Sequence, residues 1–269
     1  MAITTVDGII GGFQQTRIIS KSITGGTVGE MYSAFYANGN PPPATAPTPG
    51  ISGAAITSYV GQIPFTNPPA GQNSYLARFA VSTTATTSFG SFILCDRLWH
   101  NSGITINSGS AQTVNSVAFP ARDNNGSTNG EGVLVGLEFS SAGGAGTPTI
   151  TMSYTNSAGA SGRTATNLLP SAASPAIGRF FIMGLQGQDK GVRSIQTLTF
   201  SGTGWASGTA RLVAYRILQT IMVNIGNVGT DNSALTTGMV RLYNDTVPFL
   251  LTQVNQNTST TACMVVTQG

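Results

Sequence analysis

The sequence predicts an all-β chain, a jelly-roll-like β-sandwich with an N-terminal extended arm carrying one short helix. Three observations carry this. Thr and Ser make up 36 and 26 of the 269 residues, Gly contributes 34, and only 8% of the chain is Asp, Glu, Lys or Arg. Thr, Ser, Gly and Asn are poor helix formers, which excludes a helical bundle. With 40% hydrophobic residues and a net charge of +3, the chain also lacks the polar, highly charged signature of disorder. The third observation is a succession of short β-branched or aromatic runs separated by turn residues.

Taken in order, the first element expected is a helix near residues 27–37. Thr27 and Glu30 have the spacing of a capping box, and Val28, Met31, Tyr32, Phe35 and Tyr36 follow at i, i+3, i+4, i+7 and i+8. Asn38-Gly39 supplies the stop. So aromatic a face must dock, either on its own domain or on a neighbouring subunit. Five prolines between Asn40 and Pro49 then enforce an extended segment with few backbone donors. Residues 40–73 are expected to be irregular, and irregular segments of this length are usually functional or adherent to a partner. Met31, Tyr32, Phe35, Tyr36, Pro41, Pro42 and Pro43 are the expected protein-contact residues.

From Ser74 onward, strands are expected at SYLARFAV, SFGSFILCDRLW, TVNSVAF, GVLVGLEFS, TPTITMSYT, IGRFFIMGL, VRSIQTLTF and GTARLVAYRIL. Within 195–200 and 210–215 the alternation predicts one buried face and one wetter face. Asn124-Asn125-Gly126, Asn129-Gly130, Gly143-Gly144 and 201–204 mark tight turns. Three further strands, GMVRLYN, PFLLTQV and ACMVVT, either complete the sandwich or reach a neighbour. The expected organisation is an arm (1–73), a sandwich domain (74–220) and a C-terminal β segment (221–269).

Chemistry-bearing residues are few. The one histidine, His100, shares an extended segment with Asp96 and Ser102. Strand spacing sets these residues too far apart for a catalytic triad, so His100 is expected in a packed turn. One His and two distant Cys exclude zinc-finger spacing, and Cys95 and Cys263 read as small buried hydrophobes. Residues 122–131 place oxygen ligands at alternate positions, but Leu134 stands where an EF-hand needs Glu, so a solvent-exposed hairpin tip is expected there. Glu131 and Glu138 have no second acid nearby for glycoside hydrolysis. No enzyme activity, cofactor or metal is expected. The arginines are spread singly, so no nucleic-acid partner is expected. No apolar stretch is long enough to span a bilayer, so no membrane partner is expected either.

The phrases LCDRLWHNSGITI, FPARDNNGSTNGEG, YTNSAGASGRTA and LQGQDKGVRSIQTLTFSGTGWASGTARLVAYRIL resemble tailed-bacteriophage virion structural proteins over roughly residues 90–220. The resemblance implies a capsid decoration or cement protein on the capsid surface of the virion, made in the host cytoplasm. Its partners would be the major capsid protein and copies of itself, with a homotrimer as the implied symmetry. A tail or fibre component shares this composition, and a carbohydrate-binding adhesin displaying Trp99 or Trp205 is the other alternative. The low charge fits assembly for its own reason, because such a surface is buried against protein with little desolvation of charge.

Overall fold

The N-terminal segment is tied to the C terminus. In the computed structural model, which describes residues 3–23, 27, 29–85, 87–168, 173–254 and 258–269, Arg17–Ile23 pairs antiparallel along Thr258–Met264. In chain order the strands are β1 (Arg17–Ile23), β2 (Met31–Ser33), β3 (Asn38–Asn40), β4 (Ala54–Ala55), β5 (Ser74–Thr83), β6 (Gly90–His100), β7 (Gln112–Thr113), β8 (Val133–Phe139) and β9 (Ile150–Asn156). They continue with β10 (Arg163–Asn167), β11 (Phe180–Gly184), β12 (Val192–Phe200), β13 (Ala210–Val223), β14 (Thr230–Ser233), β15 (Arg241–Leu242), β16 (Pro248–Val254) and β17 (Thr258–Gln268). Two short helices, α1 (Val6–Gly11) and α2 (Ala234–Thr237), complete the fold. The all-β sandwich class is therefore observed, and every strand pair described is antiparallel.

The chain divides into two units, neither matching boundaries at 73/74 and 220/221. The first comprises Met1–Ala44, Thr57–Asp96 and Ile217–Gly269, and the second Thr45–Ile56 and Arg97–Arg216. The first unit holds a sheet in the order β14-β5-β17-β1-β3, with β15 on β5, and the pairings of β16 with β2 and β6. Ile19, Phe79, Val81, Ala262 and Met264 fill its interior from alternate strand positions.

The second unit carries the order β13-β8-β11-β10-β9-β12-β7, which turns over so that β8 and β13 share one core with β9 and β12. Leu137, Phe139, Met152, Leu198, Leu212 and Trp205 belong to it. Trp205 stacks on Phe181 and meets Phe139 and Phe200 edge-on, at centroid separations of 5.0–5.7 Å.

Several expectations change. A short helix near the N terminus exists, but at Val6–Gly11, where Thr5 caps it by accepting from Gly8 N at 3.0 Å. Residues 31–40 form β2, a 3-10 turn at Ala34–Tyr36, and β3. Tyr32 explains part of this: its hydroxyl bonds Glu30 Oε2 at 2.6 Å and accepts from Thr27 N at 3.0 Å. Val28 lies outside the described residues.

The run TVNSVAF shortens to Gln112–Thr113. The N–H groups of Val114 and Asn115 both reach the Gln196 carbonyl, and Asn115 adopts a φ of 41°, which ends the strand. Alternation also fails in β12, where register shifts at 192/194 and 195/197 let Ile195 and Leu198 both face inward. In β13 residues 210–216 are buried on both faces, so the wetter face expected at Arg211, Val213 and Tyr215 is absent.

The Pro-rich stretch ends against its own chain. Asn101 Nδ2 donates to Ile51 O at 3.0 Å and Trp99 Nε1 to Ser52 O at 3.2 Å. Gly53, at a φ of 70°, lies so close to the Trp99 indole that any side chain there would collide with it.

Candidate functional site

The expected contact residues do not form one exposed surface. Met31, Tyr32 and Phe35 are buried within the first unit, where Phe35 stacks on Tyr59 at 5.8 Å and meets Phe249 edge-on at 6.0 Å. Tyr36 is half-buried, Pro41 buried, and Pro42 and Pro43 exposed. The aromatic cluster therefore belongs to the chain's own core, because Met31–Ser33 is held as a strand against Leu251–Gln253. Lys21, buried beside it, donates from Nζ to Ala37 O at 3.0 Å and Pro41 O at 2.7 Å. Burial lowers its pKa from 10.5 to about 8.

The polar groups of the second unit have structural partners. Arg97 forms a bidentate pair with Glu138 at 3.0 and 2.7 Å, both side chains fully buried. Arg97 Nε donates to His100 Nδ1 at 3.3 Å. Burial, then the positive charges of Arg97 and Arg211, lower the His100 pKa to about 2, so the imidazole is neutral and serves as an acceptor. His100 thus ends its strand packed, as its sequence context suggests.

The loop 122–131 has the expected exposed tip at Asn124, Asn125, Thr128 and Asn129, and it is built on a buried Asp123 that the sequence does not announce. The Asp123 carboxylate accepts from the backbone N–H groups of Asn125, Ser127, Gly130 and Glu131 and from Ser127 Oγ, at 2.7–3.1 Å. Burial alone would raise its pKa, but these hydrogen bonds hold it below the ordinary 3.8. A carboxylate so surrounded by donors is a loop organiser. Arg122 is buried beside it and donates to Ile56 O and Arg97 O.

A second organiser, Asp189, accepts from Tyr154 Oη, Asn156 Nδ2 and Arg163 Nε at 2.6–2.8 Å. Chiefly the Arg163 bond, then that of Tyr154, lowers its pKa to about 2. Among the described residues, no group of three or more His, Cys, Asp or Glu could hold a metal ion. Trp99 and Trp205 are fully buried and cannot display a ring to a sugar.

The surface best suited to contact is the outward face of the first unit's six-stranded sheet. Register places Ile18, Cys263 and Ala80 in one row, and Ser20, Thr261 and Ser82 in the next. Ile18 is 64% exposed. Ser20, Ser22 and Thr261 are also exposed, while Cys263, Val265, Ala80 and Ser82 are half-buried. On this face Arg78 and Asp231 pair with each other at 3.0 Å and are both half-exposed, and Arg241, exposed on β15 opposite Tyr75, donates to Asn73 Oδ1 at 2.6 Å. The face is thus hydroxyl-rich and low in charge. Its sequence signal is the alternation in RIISKSI, obscured because Lys21 takes an inward position.

No protein-family model matches the chain, and no curated protein matches it. Among solved structures, the infectious bursal disease virus VP2 subviral particle aligns at 8% identity over 96% of this chain and 80% of that chain, with a TM-score of 0.23. T=1 particles derived from the same virus align at 10% identity over 96% and 78%, with a TM-score of 0.21. A likeness of this size bears no weight for fold or function.

Proposed function

We propose that the protein is a virion structural component without enzymatic activity, specifically a capsid decoration or cement protein that stabilises a phage head shell by burying surface between capsid subunits. The observation that carries the reading is the outward sheet face around Ile18, Thr261 and Cys263, which is low in charge and rich in hydroxyl side chains. Burying such a face removes few charges from water, so dispersion and apolar burial add up with little opposing desolvation. The resemblance of residues 90–220 to tailed-phage virion proteins supports the same class, and extends the reading to self-association and a place on the capsid surface. The buried, neutral His100 supports the non-enzymatic part, because it accepts a hydrogen bond from Arg97 inside an ion-pair cluster.

The test is to mix the purified chain with mature and pre-expanded phage heads, measure bound copies by co-sedimentation, and follow shell disruption on heating. The reading expects saturable binding and a raised disruption temperature. Failure to bind either shell, together with copurification on tail tubes or fibres, would move the protein to the tail.

A further inference from the structure

An open groove of about 260 Å³ on the first unit is lined by Gln15, Thr16, Arg17, Ile18, Asn40 and Pro64. Arg17, Gln15 and Pro64 also line an adjoining notch with Phe65, Thr66 and Gln268. The chemistry of this lining differs from the hydroxyl-rich sheet face beside it.

Arg17 is half-buried and forms no ion pair among the described residues. Its Nη1 reaches Gln15 Oε1 and its Nη2 reaches Thr66 Oγ1, each at 3.4 Å, so the guanidinium is oriented by two long bonds and keeps donor capacity. The amides nearby are oriented the other way. Asn40 Nδ2 donates to Ile18 O at 2.6 Å, and Gln268 Nε2 donates to Thr66 O at 2.9 Å and Ser74 Oγ at 3.1 Å. Their nitrogens are therefore committed to the protein, while Asn40 Oδ1 and Gln268 Oε1 accept no hydrogen bond among the described residues. Pro64, Ile18 and Phe65 supply apolar edges.

A ligand for this lining needs an anionic group for Arg17, hydroxyl donors for the amide oxygens and a C–H face for Pro64 and Phe65. A simple anion meets only the first need and is repelled by the carbonyl dipoles, and a neutral sugar leaves Arg17 unanswered. A peptide strand adding to the β1 edge would find the Ile18 carbonyl already taken by Asn40. We infer that the groove binds a carboxylated sugar, with the carboxylate on Arg17 and a ring hydroxyl on Asn40. This inference does not rest on shell binding, although the groove and the sheet face share Ile18.

The test is a titration of the isotope-labelled full chain with glucuronate, followed by amide chemical shifts, with glucose and acetate as controls. Glucuronate should shift residues 14–18 and 66 with a dissociation constant near 1 mM, about tenfold tighter than either control. Arg17→Gln should bring glucuronate binding down to the level of glucose and leave the rest of the spectrum unchanged. Asn40→Ala, a milder change at an exposed site, should weaken glucuronate and glucose alike. Equal binding of acetate or glucose by the native chain, shifts confined to other residues, or no response up to about 50 mM would overturn the assignment.

Discussion

The two units handle charge in opposite ways. Inside the second, Arg97, Glu138 and His100 are removed from water and interlocked. On the outward sheet face of the first, Arg78 and Asp231 cancel each other at the surface and most other positions are hydroxyls and small apolar groups. In a chain that is only 8% charged, the buried ionic groups take structural roles, and the surface proposed for contact carries few. Charge in the second unit should therefore govern stability, and side chains on the sheet face should govern binding.

The largest effect is expected at the buried pair. Glu138→Ala leaves Arg97 charged and buried, and should cost about 3–5 kcal/mol in urea unfolding. A loss below about 1 kcal/mol would mean that the pair is hydrated in solution. Next comes Asp123→Ala, which strands several N–H donors and should cost about 2–3 kcal/mol by the same measurement. Asp123→Asn, which keeps one acceptor oxygen, should cost less.

The pH dependence is smaller per step. His100 has a folded pKa lowered to about 2, so its contribution is fully present above the ordinary 6.5 and is lost as pH falls below it. Unfolding free energy should drop with a slope approaching about 1.4 kcal/mol per pH unit between pH 6 and 4.5, without an imidazole titration by NMR. Below the ordinary carboxylate range Asp123 adds to the loss, because its folded pKa is also depressed. His100→Gln should flatten the window above pH 4.5. An imidazole titrating near 6.5 in the folded protein would contradict the cluster.

The smallest effect concerns the cysteines, both of them free thiols. Burial, and the neighbouring Asp96 charge, push the Cys95 thiol well above its ordinary range, whereas Cys263 is half-buried on the outward face. A thiol reagent should label Cys263 in the native protein and Cys95 only after unfolding, and shell binding should protect Cys263.

Much of the fold was legible in the sequence, because the strands that pack the cores carry it in period-two runs. Ile150–Asn156, buried at every second residue, falls where its residues place it. The misread segments are those where tertiary partners outweigh local pattern. Residues 31–36 have helical spacing, yet their edge pairs with 251–253 and their rings pack on Tyr59 and Phe249. Arg17–Ile23 was hidden because its partner lies some 240 residues away and because Lys21 points inward. The contact face was not legible, since its rows unite β1, β5 and β17, and only register shows that Ile18, Cys263 and Ala80 are neighbours. The buried Asp123 was missed for a related reason: a loop rich in Asn and Gly reads as exposed until its backbone donors are seen converging on one carboxylate.

The central claim is that the low-charge, hydroxyl-rich sheet face is the docking surface, and it is most directly tested by comparing shell occupancy of the native chain with that of Thr261→Arg. Thr261 is exposed, so the variant should keep its stability within about 0.5 kcal/mol. The account predicts that this folded variant loses most of its binding to mature heads and no longer raises their disruption temperature. Unchanged occupancy by the folded variant would contradict it.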